Sequence, residues 1–263
     1  MKQRIITAVI AAALFIPFVI YGNLPFTILV LAMASVGMFE ILRMKGISIV
    51  SVPGLLGLLA LFLILLPVEW TNYLEDLSNY TKLEILFILA LLLLIYTVLV
   101  KNKFTFDDAA FILLGALYVG IGFYYFMEAR DAGLRFVVYA LLIVWSTDSG
   151  AYFTGRKLGK HKLWPDISPK KTIEGFVGGI VIAVIAAIIM QMIVPVTSSY
   201  VSLIILSIVC SIIGQLGDLV ESAIKRHYGV KDSGTILPGH GGILDRFDSL
   251  LFVLPLLHFM HIL

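Results

Sequence analysis

The densest run of residues able to do chemistry lies between Gly214 and Ser249. Asp218, Glu221, Ser222 and Lys225 are three or four apart, so on a helix they share one face. Asp245 and Asp248 are likewise three apart, where the last apolar stretch begins. Two helix ends therefore present carboxylates at one depth. Carboxylates beside apolar segments are costly, and four of them converging from two helices form an oxygen-rich set suited to a divalent cation. The plainer alternative is helix-end salt bridging, as between Glu221 and Lys225. Between the two pairs lies Pro238-Gly-His-Gly-Gly242. Glycines admit positive φ and let backbone amides approach an anion closely. Lys225, Arg226, Lys231, Arg246 and His240 add positive charge around it. Together these features describe a phosphate site.

A second polar region agrees. Asp148 follows Trp145-Ser-Thr in a span that is otherwise apolar and is expected to be buried there; no partner stands near it in sequence, which favours function over structure. Beyond it come the basic run from Gly155 to Lys162 and the segment Ser168-Pro-Lys-Lys-Thr-Ile-Glu-Gly175. Lys160 and Lys162 are consistent with simple topological bias. Lys170 and Lys171 stand just before a helix start, where Thr172 is placed to cap the helix and its amides face an anion. The lone Cys210 lies in an apolar run. It can form no internal disulfide, and no histidine is in view to activate it as a nucleophile.

The elements that must position these residues follow from composition. Of the 263 residues, 60% are hydrophobic and only 14% charged. Soluble domains run at about 45–50% apolar and about 25% charged. That gap excludes a soluble enzyme, a disordered chain and a disulfide scaffold. The net charge of +2 gives no reason to expect a nucleic-acid partner. The fold class expected is an all-α polytopic membrane protein, because continuous apolar runs cross a bilayer as helices. Two spans lie between Arg4 and Glu40, divided near Gly22-Asn23-Leu24-Pro25; the first is read as retained rather than as a cleaved signal. Others run at about Ile49–Pro67, Leu83–Val100, Ala109–Met127 and Phe136–Phe153. The charge-free stretch from Glu174 to Asp218 holds two more, divided at Pro195–Tyr200, and a short one runs from Phe247 to Leu263. The count is about nine, with Val68–Lys82 as a solvated connection.

With nine spans, 16 of the 19 Lys and Arg residues fall on the side of the N-terminus, Lys2 and Arg4 among them. Only Lys82, Arg130 and Arg135 fall on the other. Basic residues concentrate on the cytoplasmic side, so the N-terminus is expected to be cytoplasmic and the C-terminus outside, in the cell (cytoplasmic) membrane. Residues 1–135 are expected to form N-terminal transmembrane helices. Residues 136–263 are expected to form a catalytic transmembrane region with two cytoplasmic loops, 154–173 and 222–246. This arrangement sets Asp148, Asp218 and Asp245 at the cytoplasmic face.

The run from Ser222-Ala-Ile-Lys-Arg226 through Lys231-Asp-Ser-Gly and Pro238-Gly-His-Gly-Gly-Ile-Leu-Asp-Arg-Phe-Asp248 resembles the defining motif of the phosphatidate cytidylyltransferases (CDP-diacylglycerol synthases). The segments around Asp148 and Ser168–Gly175 are similar to that family's upstream blocks. The resemblance is specific over about Trp145–Ser249; before that it rests on hydropathy and span count. It implies the reaction of CTP with phosphatidate to give CDP-diacylglycerol and pyrophosphate. It also implies a magnesium-dependent homodimer working at the cytoplasmic face; a second cation, monovalent or divalent, is compatible with the same residues. By resemblance Asp218 and Asp245 bind the metal, with Asp248 and Asp148 supporting them. Lys225, Arg226, Lys231 and Arg246 would neutralise phosphates, Lys225 and Arg246 at the reacting centre. Ser168, Lys170, Lys171, Ser222, Gly239, His240, Gly241 and Gly242 would complete the substrate contacts.

The chemistry is consistent with these residues. Two anions must meet, so metal and cations are needed, but no covalent nucleophile is. A transporter would place charge near the midplane of repeated, broken helices; here it gathers at one face without a repeat. An intramembrane aspartyl protease fits poorly, because Gln215 breaks the Gly-x-Gly-Asp element and nearby cations would keep both carboxylates ionised. Transferases that use CDP-alcohols carry their motifs in a different order.

Overall fold

The computed structural model describes residues 2–263; Met1 and the side chains of Lys2, Arg4 and Ile5 lie outside the description, and with them the two N-terminal basic residues counted above. The chain is 76% helical. Its helices are α1 (Lys2–Tyr21), α2 (Asn23–Met44), α3 (Val52–Leu65), α4 (Val68–Ser78), α5 (Lys82–Leu99), α6 (Phe106–Ala132), α7 (Leu134–Leu158), α8 (Ile173–Ile193), α9 (Tyr200–His227), α10 (Leu244–Phe247) and α11 (Leu250–Phe259). One antiparallel hairpin, β1 (Lys162–Trp164) and β2 (Ser168–Thr172), stands between α7 and α8. Among the described residues six helices are long and apolar enough to cross a membrane, or seven if the bent pair α3–α4 is one span. Two further apolar helices, Ile6–Tyr21 and α11, are shorter.

The breaks fall where the backbone needs residues tolerant of unusual angles. α1 stops at Gly22 (φ +70°), which is followed by Asn23 (φ +50°). A side chain at Gly22 would also collide with the guanidinium of Arg130, which donates to the Val19 and Ile20 carbonyls at 2.5 and 2.7 Å. Those carbonyls end a helix and lack intrahelical partners, so a half-buried cation there satisfies them.

Three expectations are corrected. The stretch after Val68 is not a plain solvated connection. Trp70, Tyr73, Leu74 and Leu77 recur at helical spacing, and Val68–Ser78 folds as α4, bent 116° from α3. The 154–173 loop is mostly ordered: α7 runs on to Leu158, and the rest forms the hairpin. The 222–246 loop is shorter than expected, because α9 continues through His227.

The chain forms two compact units, Met1–Asn23 with Tyr125–Leu263, and Leu24–Tyr124. In the second unit, Lys45 pairs with Asp108 at 2.7 Å, and Lys82 donates to the Ile64 and Leu66 carbonyls at the end of α3. In the first unit α7, α8, α9 and α11 pack together. Small residues let α7 and α8 approach: a Cβ at Gly178 would overlap Thr154, and one at Gly150 would overlap Ile182. Buried hydroxyl pairs join α7 to α9, Tyr139 with Ser207 and Thr147 with Ser211, each at 2.9 Å. In an apolar setting such polar groups must find each other, so these pairs fix the register of the helices that carry Asp148 and Asp218.

Candidate active site

The hairpin delivers a cation to a helix carboxylate. Alternate residues of β2 face opposite ways, so Lys170 is exposed while Lys171 turns inward and is half-buried. Thr172 ends the strand and caps α8 as expected, its hydroxyl accepting from the Gly175 amide at 3.1 Å. Glu174 accepts from the backbone amides of Lys160 and His161, and its Oε1 meets His161 Nδ1 at 2.7 Å. The strand is thus pinned at both edges. Lys171 Nζ lies 2.5 Å from Asp218 Oδ2. Asp218 is not at the end of α9 but more than two turns inside it, and its Oδ1 accepts from Ser222 Oγ at 3.3 Å.

Asp245 organises the second region. Its Oδ1 meets Lys225 Nζ at 2.6 Å. Its Oδ2 accepts from the Ser233 amide (2.8 Å), the Ser233 hydroxyl (2.9 Å) and the Gly242 amide (2.8 Å). Burial opposes charge on this carboxyl, but Lys225, Gly242 and Ser233 outweigh it and hold it below the usual carboxylate range. Lys225 also meets Glu221 Oε2 at 3.1 Å. The helix-end pair considered from the sequence therefore exists, and the same ammonium bridges it to Asp245.

The glycine segment forms a tight turn. Leu237 and Gly241 exchange backbone hydrogen bonds at 3.0 and 3.1 Å, and Gly239 and Gly241 have φ of +78° and +88°. A Cβ at Gly241 would strike the Asp245 carboxylate. Arg246 clamps the turn, its Nε and Nη2 donating to the His240 carbonyl at 3.0 and 2.7 Å. The His240 Nδ1 is buried without a partner among the described residues.

Asp148 differs from expectation. It is exposed rather than buried, and it lines a cleft of about 330 Å³ with Tyr152, Arg156, Lys170, Lys171 and Asp218. Its electrostatic neighbours are Asp218, Lys171 and Arg246. Asp248 in turn neighbours Asp218, Glu221 and Asp148. The structure thus brings together Asp148, Lys171, Asp218, Glu221, Lys225, Asp245, Arg246 and Asp248. Ser168 and the glycine turn do not line the cleft. Arg226 and Lys231 are exposed, and Arg226 is turned to the Val230 carbonyl at 3.2 Å. Ser233, Tyr152 and Arg156 lie inside the motifs quoted above but were given no role there. Tyr152 and Arg156 were within reach, standing four and eight residues after Asp148 and so on its face of α7.

The donor set bears on a metal. Asp148, Asp218, Glu221, Asp245 and Asp248 supply carboxylate oxygens, the ligand type that a hard divalent cation takes. Among the described residues no three His, Cys, Asp or Glu side chains converge closely enough to enclose an ion. That does not suit an all-protein cage; it leaves room for an ion held by one or two carboxylates with water and substrate phosphates.

A nearly all-helical membrane bundle with a cleft of carboxylates and lysines, joined to a glycine turn, defines a class of enzyme that handles phosphates beside the bilayer. A model of the cytidylyltransferase family matches residues 2–263. The phosphatidate cytidylyltransferase of Bacillus subtilis (strain 168) is 57% identical over 263 residues, covering 99% of this chain and 97% of that protein. Those of Staphylococcus epidermidis (strain ATCC 35984) and Staphylococcus haemolyticus (strain JCSC1435) are 51% and 50% identical, each over 99% of this chain and 98% of their own. The chain belongs to the cytidylyltransferase family and is a CTP-dependent nucleotidyltransferase.

Proposed function

We propose that this enzyme converts CTP and phosphatidate to CDP-diacylglycerol and pyrophosphate, the lipid phosphate attacking the α-phosphorus of CTP directly. The single observation that carries the site is the Lys171–Asp218 contact within the cleft, which joins a cationic hairpin to the carboxylates of an apolar helix. The relatives' names carry the substrates. Magnesium, held by Asp218 and Asp245 with Asp148 and Asp248 in support, would neutralise charge on the triphosphate. Lys170 and Lys171 at the cleft hold a substrate phosphate, while Lys225 and Arg246 hold Asp245 and the glycine turn in place for the triphosphate. No side chain need form a covalent bond, so the work is positioning and charge neutralisation. The test is stoichiometry in detergent micelles: one pyrophosphate released per CDP-diacylglycerol formed, with none released when phosphatidate is omitted. Pyrophosphate release without lipid product would contradict it.

The reading includes nine spans, a cytoplasmic N-terminus and an external C-terminus in the cytoplasmic membrane. In support stand six long apolar helices, with the bent pair α3–α4 as a seventh span; the shorter apolar helices Ile6–Tyr21 and α11 would have to serve as the other two. The three basic residues left on the sparse side have structural partners. Lys82 and Arg130 donate to carbonyls that end α3 and α1, and Arg135 to the Pro195 carbonyl just after α8. Residues 136–263 form the catalytic region, and the enzyme works as a homodimer.

A further inference from the structure

One face of α7 carries a stripe of cleft-lining side chains, two of which, Tyr152 and Arg156, have no assigned role. Asp148, Tyr152 and Arg156 follow one another at intervals of four and all line the cleft. Arg156 Nη1 donates to Tyr152 Oη at 3.2 Å, which aims the guanidinium along the helix. Arg156 stands in the last turn of α7, about 12 Å along the axis from Asp148. Trp145, on the same stripe, lies about 16 Å below Arg156, toward the middle of an apolar span. Trp145 and Phe153 are 64% and 61% exposed, and in a membrane-crossing helix such a surface meets hydrocarbon. A ligand that reaches both ends of this face needs a phosphate at the top and apolar chains below. A nucleotide has no such tail. The neighbouring Lys157 is also basic and exposed but does not line the cleft, so helix-end charge alone does not explain which residue points inward.

We propose that Arg156 binds the phosphate of the lipid substrate, whose acyl chains lie along the exposed face of α7; this rests on the reading of phosphatidate as that substrate. A guanidinium can grip a phosphomonoester with two parallel hydrogen bonds, where an ammonium offers a point charge.

The test is steady-state kinetics in mixed micelles, with phosphatidate and CTP varied separately, for wild type, Arg156→Gln, Arg156→Lys and Lys157→Gln. Arg156→Gln should raise KM for phosphatidate by about tenfold or more, the scale of one lost charged hydrogen bond. KM for CTP should stay within about twofold, on the same reasoning. Arg156→Lys, which keeps the charge, should fall between and carries the test if the Gln variant does not fold. Lys157→Gln should match wild type. An unchanged phosphatidate KM in the Arg156 variants, or a rise in KM for CTP instead, overturns the proposal. A wild-type protein that makes no nucleotide-linked lipid would overturn the assigned reaction itself, a separate failure.

Discussion

The ammonium of Lys171 lies 2.5 Å from the Asp218 carboxylate, across two elements that meet only through folding. Lys171 comes from the five-residue strand β2, and Asp218 from within the 28-residue helix α9, more than two turns before its end. The pair holds the hairpin over the cleft. It also keeps an ammonium on the cleft lining, and on the proposed reading the lysine exchanges its carboxylate partner for a substrate phosphate.

Replacing Lys171 with Ala should therefore weaken a substrate more than it harms the fold. KM for one substrate should rise about tenfold, the scale of one charged hydrogen bond, with the thermal midpoint little changed. The check is kinetics alongside a detergent unfolding curve; unchanged kinetics would remove Lys171 from the site.

Asp218→Asn and Asp245→Asn should each lower turnover at least about 100-fold, the scale of losing one preorganised charge at a transition state. Binding of magnesium in the absence of substrate, read by calorimetry, should weaken as well. Near-normal turnover in either variant would refute the carboxylate assignment.

Lys225 bridges Glu221 and Asp245, and its side chain is only 12% exposed. Lys225→Met leaves Glu221 and Asp245 without their shared cation, although Asp245 keeps its Ser233 and Gly242 donors. Breaking a buried ion pair from one side costs about 3–5 kcal/mol, so the variant should be markedly less stable, as measured by its thermal midpoint. Lys225→Arg, which keeps the charge, should recover part of the loss.

Asp245 has its carboxyl held below the ordinary range, so it stabilises the fold while ionised. That contribution is fully present above the unfolded value of about 3.9 and is lost as pH falls through the lower folded value. The stability gap between wild type and Asp245→Asn should stay flat from about pH 7 to about pH 5 and shrink only on stronger acidification. Circular-dichroism melts over that range check it.

Two glycines with positive φ should respond differently to alanine. Gly229 (φ +68°) has open space around it, whereas Gly241 (φ +88°) abuts the Asp245 carboxylate. Gly229→Ala should cost about 1 kcal/mol of backbone strain and keep activity. Gly241→Ala should add a displaced Asp245 and lose most activity. Parallel activity and melting measurements separate the two.

Much of this was legible before folding was considered. The apolar runs gave α2, α5 and α8 within a few residues, because length and hydropathy decide a membrane helix; α7 and α9 start where expected but run on past their apolar stretches to Leu158 and His227. The Thr172 cap followed from its position before an apolar run. The carboxylate set was legible from three- and four-residue spacings. What was not legible depends on tertiary contact. The hairpin is short and rich in Lys and Pro, with no alternating apolar pattern to mark it. Asp148 was read as buried because its neighbours in sequence are apolar; only the cleft against Lys171 and Asp218 makes it exposed. Ser233 is an ordinary loop serine until Asp245 reaches its amide and hydroxyl from twelve residues away. Helix α4 was missed because acidic residues interrupt its apolar stripe, leaving a pattern weaker than that of the spans beside it.

The most direct test of the account follows the phosphorus atoms. Purified enzyme in phosphatidate-containing micelles would receive CTP labelled at the α- or at the γ-phosphate, with and without magnesium, beside Asp218→Asn. Direct attack on the α-phosphorus predicts α-label in the lipid phase and γ-label in pyrophosphate, both dependent on magnesium and absent in the variant. Appearance of γ-label in the lipid, or undiminished transfer by Asp218→Asn, would contradict it.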